Sequence, residues 1–351
     1  MRIGVDARML GSSGIGKVIE NILKRMIPQC PEWNFFIIIN KKEYSRYSFL
    51  ISHNVSCIYC STPIYSIKEQ FALWKKIPMN LDVFWSPHYN IPLFYKGNLV
   101  VTIHDLAHLA LKQNKYEYLK KLYARIMLKN AIKKASSIVC VSKFTINELK
   151  RFFQNVNMDK INLIYNGVDE EWYNIKCGAK LRNNPYYVFV GNVKPHKNLV
   201  RLIEAYKLVC NEIKEDLLII GKKEGFINGI DNISELIKGY ENRIVFTGYV
   251  DDTMLKQYVI QSEGMIFPSL YEGFGLPPME CIAAGVPVFC SNIPVLREIY
   301  KNNVIYFDPY DVNDIARCIK NKTIISVDNS CPTWDCAVKN MIDIFNQYNI
   351  R

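Results

Sequence analysis

Residues 271–288, YEGFGLPPMECIAAGVPV, hold the densest set of groups able to do chemistry. Two carboxylates, Glu272 and Glu280, stand eight positions apart on either side of a Gly-Phe-Gly turn. Pro277 and Pro278 follow that turn where a helix would begin, and proline suits the first helical position because its missing N–H has no intrahelical acceptor there. The spacing predicts a short helix over Met279–Ala284, ended by Gly285 before a strand at Val286–Phe289. Backbone N–H groups of Gly273, Phe274, Gly275 and Leu276 would then surround the helix amino terminus. Its partial positive charge, and the room the glycines leave, suit an anion such as a diphosphate. Carboxylates beside such an anion are costly unless they accept hydrogen bonds from sugar hydroxyls. The plainer alternative makes Glu280 a first-turn acid that complements the helix dipole.

Three further stretches carry candidate groups. In VGNVKPHKNL a strand ends at Gly191, and Lys197 and Asn198 open the next helix, so Lys197 adds a full charge to a terminus already suited to phosphate. In VVTIHD, His104 and Asp105 close a strand at its carboxyl end, and His88, Tyr89 and Asn90 follow another in WSPHYN. In GSSGIGKV, Gly11, Gly16 and Lys17 have the spacing of a phosphate loop, but Val18 stands where a Ser or Thr would ligate magnesium. The stretch reads instead as a glycine loop before a helix, where Gly14 and Gly16 let the backbone approach a phosphate or an acceptor. Cys57 and Cys60 form a C-x2-C pair with no second pair at zinc spacing, and no D-x-D pair is present, so no metal is expected.

These residues must be held by a framework, and the chain is long enough for two. Its 351 residues, 49% apolar and 22% charged, indicate two folded domains. Short apolar runs predict strands at Arg2–Val5, Phe35–Ile39, Val83–Trp85, Val100–Ile103 and Ile138–Val141. A second series falls at Tyr187–Val190, Leu217–Ile220, Ile244–Phe246, Gly264–Phe267, Val286–Phe289 and Val304–Phe307. Helical segments separate most of them, which argues for two doubly wound α/β domains in tandem. We place the first over residues 1–168, a turn-rich linker over 169–185 and the second over 186–351, with a final amphipathic helix able to pack back on the first domain. Ligands of such sheets bind beyond the carboxyl ends of the strands, so the expected site is a cleft between the domains.

Charge is divided unevenly. Residues 1–168 hold 24 Lys and Arg against 10 Asp and Glu, whereas residues 169–351 hold 20 against 23. The segment 111–135 alone carries eight basic residues against one Glu, with Leu119, Leu122, Tyr123 and Ile126 on one apolar face. A charge-rich helix face can simply be solvated, but the excess over the whole first half favours a site for an anionic membrane surface near a lipid-diphosphate acceptor, and with no nucleic-acid signature nucleic acid is not expected. No apolar run reaches the length of a membrane span and no secretion signal opens the chain, so the expected location is cytoplasmic, peripheral on the inner membrane face. Eleven scattered cysteines fit reduced thiols.

EGFGLPPMECIAAGVPV resembles the Glu-x7-Glu signature of retaining glycosyltransferases with the GT-B fold, in particular family 4 (group 1), and looks like that of bacterial mannosyltransferases. GIGKVIENIL, VVTIHDL, VSKFTINEL, YNGVD and VGNVKPHKNL resemble further landmarks of that family, so the likeness runs over nearly the whole chain. The resemblance implies a nucleotide-sugar substrate, no cofactor, and transfer of a hexose with retention to a growing surface glycan. It places Glu272 on the donor sugar, Glu280 on the ribose, Gly273–Leu276 on sugar and diphosphate, and Val250 against the base. Many relatives place an arginine near Lys197; here its neighbours on the donor side are Asn192 and His196, and His196 would supply that diphosphate contact only in part. The resemblance places Gly14 and Gly16 facing the donor and His104 beside sugar and acceptor; by their place after strand ends, Asp105, His88, Tyr89 and Asn90 fall on the acceptor side. Mannose from GDP-mannose is the first expectation; a sugar-nucleotide epimerase of the same fold and a non-catalytic binding protein are the alternatives.

Overall fold

The computed structural model describes residues 1–111, 118–221, 233–321 and 331–349. The chain divides into two compact units, Met1–Gly167 together with Pro332–Arg351, and Val168–Cys331.

The first unit contains strands β1 (Arg2–Asp6), β2 (Asn34–Ile39), β3 (Val55–Tyr59), β4 (Val83–Ser86), β5 (Leu99–Ile103), β6 (Ser137–Cys140) and β7 (Ile161–Leu163). All pair in parallel, in the order β3-β2-β1-β4-β5-β6-β7. Helices α1 (Ser13–Gln29), α2 (Ile67–Lys76), the single turn α3 (Ala107–Ala110), α4 (Tyr118–Lys134) and α5 (Lys143–Phe152) connect them. Helices cover both faces of a parallel sheet, so its inner strands are apolar throughout: every residue of β4, β5 and β6 is buried. Helix α1 buries Val18, Ile19, Ile22, Leu23 and Met26, the three-and-four spacing of one helical face.

The second unit contains β8 (Tyr186–Val190), β9 (Asp216–Ile220), β10 (Ile244–Gly248), β11 (Gly264–Phe267), β12 (Val288–Ser291) and β13 (Ile305–Phe307), parallel in the order β10-β9-β8-β11-β12-β13. Its helices are α6 (Leu199–Val209), the turn α7 (Ile233–Leu236), α8 (Asp252–Ile260), α9 (Leu276–Ala283), α10 (Pro294–Tyr300) and α11 (Val312–Asn321). Tyr187, Phe189, Leu217, Ile219 and Ile266 fill the core against Leu202, Ile203 and Tyr206 of α6. The last helix, α12 (Trp334–Asn346), belongs to the first unit: Phe345 lies 6.3 Å from Trp33 and 6.4 Å from Trp85, ring centre to ring centre.

Several boundaries differ from expectation. Strands β3 and β7 form the two edges of the first sheet and were not anticipated, because their half-buried residues (VSCIY, INL) never make an apolar run. β12 starts at Val288 instead of Val286, and α9 at Leu276 instead of Met279. Residues 169–185 belong to the second unit, with a 3-10 turn at Glu170–Trp172. The expected apolar face of α4 faces solvent: the helix buries Ala124, Met127, Leu128 and Ala131 and leaves Leu119, Leu122 and Ile126 exposed. All eleven cysteines are free, including Cys57 and Cys60.

Candidate functional site

In the second unit the strand order reverses between β8 and β11, the place where doubly wound sheets leave a crevice at their carboxyl ends. The residues after each of these strands meet there. Lys197, ending a 3-10 turn after β8, sets its Nζ 2.5 Å from Oε1 of Glu272, in the loop after β11. The Leu270 N–H donates to the His196 carbonyl at 2.7 Å, so the two loops are also tied through their backbones. Lys197 Nζ lies 5.1 Å from the Phe267 ring centre. Both charged side chains are half-buried, at 17% and 13% exposure, enough cover to hold them in place and enough access to reach a ligand.

Gly275 explains how the second loop turns into α9. Its φ of +95° is a left-handed conformation that disfavours any side chain, and an added Cβ would lie 3.1 Å from both Leu296 and the Tyr300 hydroxyl. Tyr300 Oη donates to the Gly275 carbonyl, and burial pushes the pKa of that phenol well up, so it stays a donor. Gly273, Phe274 and Gly275 are buried, with Leu276 half-buried at the first helical position. Glu280 is buried at 6% exposure and is the fifth residue of α9, not a first-turn acid. The dipole explanation for Glu280 fails on that position, because the effect fades within one turn. Ser269 Oγ, fully buried in the same loop, has no partner among the described residues. Asn192 is exposed, and Val250 is half-buried just past β10, two strands along the same sheet edge from β8.

In the first unit the reversal falls between β1 and β4. Asp6 ends β1 and Arg8 follows it; His88 and Asn90 follow β4. Arg8 grips Asp6 with two hydrogen bonds of 2.7 Å and reaches Glu69 Oε1 of α2 at 2.6 Å. The other Glu69 oxygen accepts from Asn90 Nδ2 at 2.5 Å and from the Tyr65 N–H at 2.8 Å. Asn90 Oδ1 in turn accepts from Tyr123 of α4 at 2.5 Å. Burial raises the Glu69 carboxyl above its ordinary range, opposed by Arg8. Burial alone would lower the Arg8 pKa, yet Asp6 and Glu69 outweigh it and hold that group above its ordinary value.

Two histidines border this network in defined tautomers. His88 Nδ1 accepts from the Asn90 N–H at 2.9 Å, so the proton sits on Nε2, which is buried without a partner among the described residues. Burial lowers its pKa to about 4, so it is neutral at pH 7. His104 Nε2 lies 2.8 Å from the Pro87 carbonyl, which can only accept, so Nε2 carries the proton and Nδ1 the lone pair. Burial lowers this pKa too, leaving Nδ1 a neutral acceptor. Asp105 is half-buried and caps the Ala107 N–H at 2.8 Å, a turn role. Tyr89 is half-buried against His88 and Tyr65.

The first glycine loop is used differently from expectation. Gly14 and Gly16 lie inside the first turn of α1, not before it. The Gly16 N–H already donates to Ser12 O, and a Cβ there would sit 2.5 Å from the Met9 carbonyl, so its small size is explained by the chain's own packing. Gly14 is exposed, with nothing within 4 Å of an added Cβ. Among the described residues no group of three or more His, Cys, Asp or Glu is placed to hold a metal.

Comparison with known proteins bears on what these two clusters serve. Two family models meet end to end on the chain: Glycosyltransferase Family 4 over residues 47–172 and Glycosyl transferases group 1 over residues 173–322. The chain belongs to the group 1, family 4 glycosyltransferases. It is 28% identical to the O-antigen chain mannosyltransferase RfbU of Salmonella typhimurium, over 69% of this chain and 65% of that protein. It is 30% identical to O-antigen chain mannosyltransferase B of Escherichia coli, over 65% of this chain and 63% of that protein. The chain thus spans just under two thirds of the length of these curated relatives. Among solved structures, sucrose-phosphate synthase from Thermosynechococcus elongatus matches with a TM-score of 0.79 at 16% identity, covering 99% of this chain and 98% of that one. With such neighbours the two Rossmann-like units are of the GT-B class.

For this family 4 glycosyltransferase, sequence reasoning missed Asp6, Arg8, Glu69 and Ser269. The charged pair in VDAR, directly after a buried strand, was a usable signal for the first two. Glu69 was not, since the fold brings it to Arg8 across 61 positions.

Proposed function

We propose that this chain transfers a hexose, mannose from GDP-mannose in the first instance, from a nucleotide-diphosphate sugar to a growing, lipid-linked surface glycan. One observation carries the reading: an ammonium and a carboxylate meet at the strand-order reversal of the second unit, beside glycine-rich backbone at a helix amino terminus. Lys197 and the Gly273–Leu276 backbone hold the diphosphate, and Glu272 exchanges its ammonium partner for donor hydroxyls when the sugar binds. Glu280 accepts from the ribose and Val250 packs on the base. In transfer the bond from the anomeric carbon to diphosphate breaks, the bond to the acceptor oxygen forms, and the acceptor proton passes to the departing diphosphate. Charge growing on the departing diphosphate is what Lys197 and the helix terminus stabilise.

In the first unit, His88, Tyr89, Asn90 and Asp105 shape the acceptor side, and His104 Nδ1 is the atom available to a hydroxyl. The relatives' names support the mannosyl assignment, and retention at the anomeric carbon follows the family resemblance. As the family resemblance implies, the proposed reaction uses no metal or cofactor, only side chains and backbone. The reading is tested by supplying GDP-mannose with and without a lipid-linked glycan and following nucleotide release. Release that rises severalfold with acceptor, with the sugar recovered on the glycan, is expected; release indifferent to acceptor would favour an epimerase or hydrolase and reject it.

A further inference from the structure

One peptide group, between Gly275 and Leu276, governs the amino terminus of α9. Gly275 is the N-cap residue and makes no side-chain capping bond, while its carbonyl takes the first hydrogen bond of the helix. The phenol of Tyr300 donates to the same carbonyl, so both of its lone pairs are engaged. Tyr300 ends α10 and is 2% exposed. Leu296, one helical turn earlier and fully buried, closes on the same glycine, which is why an added Cβ would crowd both side chains. The helix that delivers the phenol is itself held: Tyr306 donates its hydroxyl to the Leu296 carbonyl at 3.1 Å, and Lys301, at a φ of +49°, turns the chain directly after Tyr300.

What that grip controls lies at the other end of the peptide plane. The Gly275–Leu276 bond is trans and planar, so the Leu276 N–H points opposite to the Gly275 carbonyl and turns with it. The helix opens Leu-Pro-Pro, and proline carries no N–H, so Leu276 supplies the only amide hydrogen among its first three residues. A helix start normally offers an anion several free N–H groups. Here two of them are missing, and the direction of the Leu276 amide matters correspondingly more.

We infer that Tyr300 is a positioning residue: its hydroxyl, acting through the Gly275 carbonyl, aims the Leu276 N–H at the phosphate of the donor. The inference rests on the proposed diphosphate site and adds to it a buried residue behind the loop. Packing alone would need the ring of Tyr300 and not its hydroxyl. Burial holds that hydroxyl in its protonated, donating form.

Tyr300→Phe keeps the ring and removes the hydroxyl. By calorimetry the variant should bind GDP and UDP roughly 3- to 15-fold more weakly, with GMP and UMP changed by less than about twofold. The peptide can also be watched by itself. Residues 275 and 276 form the only Gly-Leu pair in the sequence, so glycine labelled with 13C at the carbonyl and leucine labelled with 15N give a single correlated resonance. In the wild type the diphosphate should move this amide proton downfield. In Tyr300→Phe the carbonyl carbon should lie upfield before any ligand is added, and the amide response to diphosphate should shrink. A wild-type amide that stays unmoved while GDP or UDP binds would overturn the inference, whether or not the variant folds. So would a variant that matches the wild type in affinity and amide response. Equal losses for diphosphate and monophosphate would also overturn it, leaving Tyr300 a packing role. A wild type that binds diphosphate no more tightly than monophosphate would instead reject the diphosphate site, and this inference with it.

Discussion

Replacing Glu272 with Gln should separate binding from transfer. Glu272 accepts from Lys197 at 2.5 Å, and the proposed reaction has it turn to the donor sugar. Losing charge-assisted hydrogen bonds to those hydroxyls removes about 1.5–3 kcal/mol of transition-state stabilisation, which lowers turnover roughly 10- to 150-fold. Affinity for the free nucleoside diphosphate should move the other way or not at all. The carboxylate competes with diphosphate for the same ammonium, and its removal leaves Lys197 wholly available. The gain should be small, about 1 kcal/mol or less, because the pair is partly open to water. Calorimetric binding and steady-state turnover of the same preparation give both quantities. If affinity and turnover fall in parallel, Glu272 merely holds the loop, and its proposed contact with the sugar is wrong.

Arg8→Met should be the most damaging single change to stability. Arg8 is 6% exposed, and its guanidinium is shared between two buried carboxylates, Asp6 and Glu69. Breaking a buried ion network from one side leaves uncompensated charge and typically costs about 3–5 kcal/mol. With a urea dependence of about 2–3 kcal/mol per molar, the unfolding midpoint of the first unit should fall by roughly 1–2 M. The loss should ease as pH falls. Burial already raises the Glu69 pKa, so in the variant the native state takes up a proton there before the unfolded chain does. More protons bound in the native state mean that stability rises as pH drops. Combining Arg8→Met with Glu69→Gln should recover part of the loss by the same reasoning. A midpoint unchanged within error would mean that the cluster is open to water and contributes little.

The residues that carry these predictions were unequally legible in the sequence. Glu272, Gly275 and Lys197 announced themselves because each sits in a local pattern, turn followed by helix, whose physics is fixed within ten or so positions. The central strands were legible for a related reason: burial on both faces leaves an unbroken apolar run, as in VVTI and YVFV. The edge strands β3 and β7 were not, since a strand paired on one side and half exposed carries no such run. The two prolines, read as the helix start, put Glu280 in a first turn, whereas the left-handed Gly275 starts the helix at Leu276. The Gly16 position is legible but its packing partner is not: the Met9 carbonyl, seven residues back, lies where a side chain at 16 would fall. Glu69 reaches Arg8 only through tertiary folding, and no spacing in the chain foretells it.

The central claim is that the ammonium of Lys197 meets a nucleotide at its diphosphate. It is tested most directly by titrating GDP, UDP and their monophosphates into the wild-type chain and into Lys197→Ala. The diphosphate should bind the wild type more tightly than its monophosphate, and the variant should lose about 1.5–3 kcal/mol on the diphosphate while barely changing on the monophosphate. A variant that binds the diphosphate as tightly as the wild type would contradict the assignment.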